Sequence, residues 1–287
     1  MSNILVTGGN GQLGSELKDL VNLYPNDTFF FTDVAELDIC NHKVVEEFII
    51  KNNINIIINC AAHTAVDKAE EQFEFVNDIN NLAVKNFAHI ARVYAIKFIH
   101  ISTDYVFDGT NHQPYVETDA PNPQSVYGKT KLDAEIAIKE IKPSNTIIIR
   151  TSWVYSSYGN NFVKTMLRLG KEKNELDVIF DQIGTPTYAG DLAKAILEIL
   201  PKLNNDKVDI YHYSNEGVCS WYDFAQAIFE IANISVKVNA IESAQYPTLA
   251  KRPFYSVMNT AKIEKTFNVE VPYWRHSLNS CLGKYKI

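Results

Sequence analysis

Cysteine is scarce in this chain, and what there is forms no framework. Cys40, Cys60, Cys219 and Cys281 are widely separated and make no C-x-x-C pair. That spacing excludes the common zinc modules and disulfide scaffolds, and predicts free thiols in a reducing, cytoplasmic setting. Long apolar runs are also missing. The most apolar stretch, "INIIINCAA", falls well short of the ~20 residues that a membrane span requires. The start, "MSNILVTGG", has neither a basic segment nor an extended apolar one, so no signal peptide is expected there. Dense Lys/Arg blocks are absent, and the net charge is -7. Such a chain repels nucleic acid and anionic membranes, and neither is expected as a partner.

What is present is core-forming material: 287 residues, 46% of them apolar, enough for one large domain or two small ones. β-Branched runs recur at 3–7, 28–33, 54–59, 97–103 and 146–151. Between them, residues 12–23, 44–53, 81–95 and 130–141 place apolar side chains at helical spacing. Strands that are apolar throughout, alternating with helices, predict βαβ units and a parallel sheet buried on both faces. In the second half, 160–174, 189–200 and 220–232 read as helices and "DIYHYSN" as a strand. Long stretches near 108–125 and 242–259 carry no strong pattern, a common trait of functional loops.

The first run leads into "VTGGNGQLGSEL", with Gly8, Gly11 and Gly14 at three-residue spacing. Between a strand and a helix, the first glycine permits a tight turn. The second admits a pyrophosphate to the backbone, and the third lets the helix pack on the sheet. The free N–H groups at the helix start then face the anion. Asp33 follows at the end of the second run, where an acid can bind both hydroxyls of an adenosine ribose; a turn cap at a strand end would look the same in sequence. A carboxylate there repels a 2'-phosphate, and no Lys or Arg lies between Lys18 and Lys43. The pattern therefore favours NADH over NADPH. Asp38 fits an adenine contact or a helix N-cap equally well.

A second signal is "STDYVFDG…YGKTK". Tyr127 and Lys131 are four apart in a stretch, 124–140, that reads as helix, so they share one face. A phenol near pKa 10 is a poor acid–base group at neutral pH, and a neighbouring ammonium is expected to lower that value. Lys131 can also bond the nicotinamide ribose. Thr103, at the end of the preceding strand, can polarise the reacting oxygen.

With these residues in view, the chain resembles the extended short-chain dehydrogenase/reductase superfamily. Within it, the chain is similar to the dTDP-4-dehydrorhamnose reductase family, almost end to end. The segments that carry the likeness are "LVTGGNGQLGSEL", "NCAAHTAVDKAE", "HISTDYVFDG", "YGKTKLDAE", "RTSWVYSSYGNNFVKTML" and "DQIGTPTYAGDLA". The resemblance implies an α/β fold, a Rossmann-type doubly wound parallel sheet with a smaller C-terminal substrate-binding domain. Residues 1–155 would bind the dinucleotide, the chain returning to that domain around 188–215, and 156–287 would mainly bind a sugar nucleotide. The implied reaction is NAD(P)H-dependent reduction of a dTDP-linked 4-keto-6-deoxy sugar. Tyr127 would donate the proton, with Lys131 and Thr103 as partners.

The resemblance also implies that Gly11, Gln12 and Leu13 line the pyrophosphate loop and that Asp33, Asp38 and Ile39 hold the adenosine end. Ala62, His63 and Thr64 would flank the nicotinamide, although a lone histidine after a strand also suits plain packing. Asp104 and Trp153 would touch substrate, Trp153 being equally suited to the core. "DQIGTPT" would shape the pocket, or Asp181 and Gln182 would hold a turn. Tyr105 stands where dehydratases of this kind carry an acid. An epimerase, a dehydratase or a non-catalytic subunit on the same scaffold is the alternative. Some members bridge a homodimer through a divalent metal held by glutamates. Glu16 is present but Gly190 occupies the second position. A homodimer stays open, whereas a Mg2+ bridge lacks a ligand and no metal residues are assigned.

Overall fold

The computed structural model describes residues 1–285; residues 286 and 287, the end of the expected second domain, lie outside the described residues. The apolar runs become parallel strands: β1 (Asn3–Thr7), β2 (Thr28–Thr32), β3 (Ile56–Asn59), β4 (Lys97–Thr103) and β5 (Thr146–Thr151). A sixth strand, Asp209–His212, completes a sheet ordered sixth-β5-β4-β3-β1-β2. β3 and β5 are buried at every residue, whereas β2, at an edge, is half-exposed. From β1 the chain crosses to β2 on one side, then returns past β1 to β3 on the other. This reversal opens a crevice beyond the carboxyl ends of β1 and β3, the general ligand position in such sheets.

Helices cover both faces. On one, Gln12–Leu20 and Ala189–Ile199 bury Leu13, Leu17, Leu192 and Ile196 against Ile4, Val6, Ile58 and Ile149. On the other, His42–Lys51, Ala83–Val93 and Val126–Ile141 bury Val45, Ile49, Phe87 and Ile138 against Leu5, Ile57, Phe98 and Ile148. The first helix stops at Leu20 and tightens into a 3-10 turn, Val21–Leu23, rather than continuing to residue 23. Pro25 follows closely, and the approach to a proline disfavours helix.

A third apolar cluster lies apart from the sheet. Tyr155, Val163, Met166, Phe224, Ile228, Trp274 and Leu278 share it. Two of its elements have no sequence counterpart above: Glu175–Ile179 and Lys237–Ile241 pair as a parallel two-stranded ladder. Both are part-exposed, and their pattern is weaker than that of the buried runs. The late segment Ile263–Val271 returns to the main core through Ile263, Phe267, Val269 and Val271. No described helix is long and apolar enough to cross a membrane.

Candidate active site

The glycine loop is shaped by contacts that a side chain would break. Gly8 has φ +65, and a Cβ there would meet the Ala61 backbone nitrogen at 2.8 Å. A Cβ on Gly14 would run into the Gly8 carbonyl oxygen and reach Gly9 Cα at 2.7 Å. Gly11 caps the helix and faces open space apart from the Gly8 carbonyl at 3.1 Å. So Gly8 turns the chain, Gly14 packs the helix, and Gly11 leaves the backbone bare toward the crevice.

The crevice is a cleft of about 530 Å³. Gly11, Gln12, Leu13, Ala62, Thr64, Thr103, Asp104, Tyr127, Lys131 and Trp153 all line it. Tyr127 and Lys131 come from Val126–Ile141, whose start is built carefully. Ser125 caps it by accepting from Gly128 N at 3.1 Å, and Glu70 Oε1 accepts from Val126 N at 2.9 Å. Both acceptors satisfy helix-start N–H groups. A Cβ on Gly128 would strike the Tyr105 carbonyl oxygen, so only glycine lets the helix begin this close to β4's end. The Tyr105 ring meets Tyr127 edge-on at 5.5 Å.

The electrostatics differ from the sequence expectation. Burial pushes the Tyr127 phenol up to about 12, while the nearby Thr103 hydroxyl works in the opposite direction. Lys131 does not hold the phenol down. Its Nζ donates to Ile101 O at 2.6 Å and lies 3.2 Å from His100 Nε2. Burial lowers Lys131 to about 8, against the attraction of Glu135 and Cys60. Desolvation thus outweighs pairing for both groups.

The whole chain, residues 1–287, matches the family model described as the RmlD substrate binding domain. It is 42% identical to the dTDP-4-dehydrorhamnose reductase of Aggregatibacter actinomycetemcomitans, over 98% of each chain. The chain belongs to the dTDP-4-dehydrorhamnose reductase family. Among solved structures, it is similar to the family member from Clostridium acetobutylicum, with TM-score 0.92, 43% identity and 98% of both chains covered. The Bacillus anthracis dTDP-4-dehydrorhamnose reductase, solved in complex with NADP, gives TM-score 0.94 and 37% identity over 99% of this chain and 100% of that one.

In this member of the reductase family, other sequence-selected residues sit around or beneath the cleft. Asp33 ties β2's end to the glycine loop, accepting from Asn10 N at 3.1 Å and Val34 N at 2.8 Å. Asp38 is exposed and accepts from Cys40 N at 2.9 Å. It is not an N-cap: Asn41 takes that place for His42–Lys51, because the helix begins three residues later. Ile39 is buried against the helix-side core. His63 does not line the cleft; its ring packs edge-on against Phe75 at 5.8 Å. Its backbone is clamped by Asn80, which accepts from His63 N at 2.8 Å and donates to His63 O at 3.1 Å. Asn80 lies in a π-helical turn, Asp78–Leu82, a distortion that a helical period does not announce.

Trp153 holds a left-handed backbone, φ 47, and its indole stacks on Trp221 at 3.6 Å. Gly184 of "DQIGTPT" lies directly behind it, where a Cβ would be 2.7 Å from the ring. Asp181 and Gln182 bond Ser243, by 2.6 Å and 2.9 Å side-chain contacts, and so hold the loop at 242–259. The same loop is anchored to Val66–Ala69 by an Arg252–Asp67 ion pair of 2.6 Å. Gln12 is gripped from the far side of the cleft: Asn161 Nδ2 donates to its Oε1 at 2.9 Å. All four cysteines are free.

A divalent metal at Glu16 does not fit these residues. The Glu16 carboxylate is buried and accepts from Ser156 Oγ at 2.7 Å, Lys284 Nζ at 2.7 Å and Tyr188 OH at 3.3 Å. The chain's own ammonium already neutralises it. At Gly190 a Cβ would lie 2.5 Å from the Tyr188 ring, so no ligand side chain can be placed there.

Asp104 carries a testable pH effect. It is 2% exposed, its Oδ2 has no partner among the described residues, and burial raises its pKa to about 6 despite a hydrogen bond from Thr103 and the nearby Ser256 hydroxyl. The folded state therefore binds this proton more tightly than the unfolded chain. Its stabilising contribution is complete below the unfolded value near 4 and is lost as pH rises through about 6. The loss is on the order of 3 kcal/mol. Asp104→Asn should remain flat across that window, so the stability difference between variant and wild type should grow from pH 4 to 7 in urea unfolding. A constant difference would mean the carboxyl is solvated.

Proposed function

We propose that this chain catalyses the NAD(P)H-dependent reduction of the 4-keto group of dTDP-4-dehydro-L-rhamnose to dTDP-L-rhamnose. The observation that carries the reading is the convergence of Thr103, Tyr127 and Lys131 in the lining of a cleft rimmed by the glycine loop. The names of the full-length relatives support it.

The dinucleotide, when bound, supplies the hydride. The chain positions it and handles the proton. Gly11, Gln12 and Leu13 face its pyrophosphate, Ala62 and Thr64 its nicotinamide side, and Asp33 its adenosine ribose. Asp104 and Trp153 would hold the sugar, and Thr103 and Tyr127 would face its O4. With its pKa near 12, Tyr127 keeps its proton at neutral pH, the form a general acid needs. As charge develops on O4, Tyr127 passes it the proton, and the Thr103 hydroxyl, which donates to Asp104 Oδ1 at 3.0 Å in this structure, turns to that oxygen. The sheet and its returning elements, Ala189–Ile199 and Asp209–His212, hold the dinucleotide, and most of 156–287 closes over the sugar nucleotide.

The direct test is oxidation of NADH and NADPH, in parallel, with the dTDP-linked keto sugar. A non-catalytic subunit shows no turnover. An epimerase or dehydratase shows no net cofactor oxidation.

Cofactor choice depends on Asp33. It stands at β2's end with no basic residue between Lys18 and Lys43, which favours NADH. Asp33→Ser removes a charge-assisted hydrogen bond worth about 1.5–3 kcal/mol. NADH should weaken by about ten- to a hundredfold. NADPH should be affected far less, because repulsion of its 2'-phosphate is relieved. The readout is the ratio of kcat/KM for the two cofactors. A ratio that does not move would take Asp33 away from the ribose.

A further inference from the structure

One polar row crosses the sheet where its apolar runs end. Thr7, Asn59 and His100 are direct cross-strand neighbours on β1, β3 and β4, and each is fully buried. By strand alternation they share the face of Leu5, Ile57 and Phe98, against which Val126–Ile141 packs. Three polar side chains on an apolar face cost free energy unless each is bonded. Here they are bonded to one another, and the row ends on Lys131. Thr7 Oγ1 donates to Asn59 Oδ1 at 2.5 Å, Asn59 Nδ2 lies 3.2 Å from His100 Nδ1, and His100 Nε2 lies 3.2 Å from Lys131 Nζ.

The row has a direction. Burial and the nearby Lys131 hold His100 well below the usual imidazole range, so it is neutral, with one N–H and one lone pair. Thr7 donates to the Asn59 oxygen, which leaves the Asn59 amide N–H groups to donate to His100 Nδ1. The imidazole proton is then on Nε2 and faces Lys131 Nζ, which can accept it only as the uncharged amine. The other groups around Lys131 are Ile101 O, the Cys60 thiol after β3, Tyr127 one turn before it, and Glu135 one turn after it. Glu135 is itself paired with Arg150 of β5.

We propose that His100 is a positioning residue for Lys131: braced by Asn59 and Thr7, it holds Lys131 Nζ at the cleft floor and opposes full positive charge there. The proposal rests on the reading of Tyr127 and Lys131 as the proton-delivery pair. His100 itself does not line the cleft, so it acts through the lysine alone.

The test is His100→Leu in the full chain with cofactor and keto sugar. Losing one hydrogen bond to Lys131 should lower kcat roughly two- to tenfold and leave the sugar KM unchanged. The ionisation that Lys131→Met abolishes from the pH profile should move upward by about half a unit to one unit. His100→Gln keeps an N–H within reach and should move less. An unmoved or lowered ionisation in folded His100→Leu overturns the proposal, because a space-filling histidine would change only the melting temperature. A measurement on the unaltered sequence covers a variant that does not fold. Of the two buried imidazoles, His100 and His212, one must shift its ring 15N resonances on Lys131→Met. Silence of both also overturns the proposal. The two failures are distinct: turnover surviving in Lys131→Met rejects the active-site reading, whereas silent imidazoles reject the His100 contact.

Discussion

Tyr127→Phe should lower kcat by roughly 10²–10⁴, the usual worth of a positioned general acid. The substitution removes one hydroxyl and keeps the ring. The edge contact with Tyr105 at 5.5 Å and the cap at Ser125 both survive, so the helix should stay in place. Cofactor affinity should change little, because the glycine loop and Asp33 are untouched. Circular dichroism and the melting temperature would establish that the variant is folded; steady-state kinetics with the dTDP-linked keto sugar then read the effect. Near-normal kcat would remove Tyr127 from the mechanism and leave Thr103 or bound water as the proton source.

Arg150→Met should cost about 3–5 kcal/mol of stability, the range for removing one partner of a buried ion pair. Arg150 and Glu135 are each 1% exposed and meet through two contacts, Nε to Oε1 at 2.9 Å and Nη2 to Oε2 at 2.6 Å. Ser102 Oγ donates to the same carboxylate at 2.5 Å. Without the guanidinium, Glu135 is a buried charge supported by one hydroxyl and the attraction of Lys131. The melting temperature should fall by on the order of 10 °C for a chain of this size. Arg150→Met combined with Glu135→Leu should recover most of the loss, since both charges are then gone. An unchanged melting temperature in the single variant would mean that water reaches Glu135. The pair joins β5 to the helix that carries Tyr127 and Lys131, and Ser102 directly precedes Thr103. Activity should therefore fall further than the folded fraction does.

The elements that build the crevice were legible because each rests on a local rule. β1, β4 and β5 begin and end where their β-branched runs do, since strands buried on both faces are largely apolar. Gly8, Gly11 and Gly14 identify a strand–turn–helix loop by their spacing, and at Gly8 and Gly14 only glycine tolerates the close backbone approaches found there. The four-residue spacing of Tyr127 and Lys131 places both on one helix face whatever surrounds them. The short Glu175–Ile179 and Lys237–Ile241 strands carried too little pattern to stand out against neighbouring polar residues.

Charge and contact followed a different logic. A Tyr-x-x-x-Lys spacing shows adjacency, yet it does not reveal that burial raises the phenol to about 12 or that Lys131 turns to Ile101 and His100. The polar residues that end β1 and β3, Thr7 and Asn59, look like ordinary strand ends until the register aligns them with His100. Glu16 looks like a metal ligand in sequence; folding brings Lys284, 268 residues away, onto it instead. Strand, helix and glycine-turn patterns come from steric and hydrophobic terms that act between near neighbours in the chain. Proton affinities and ion pairing come from desolvation and from charges that meet only after distant segments are packed together.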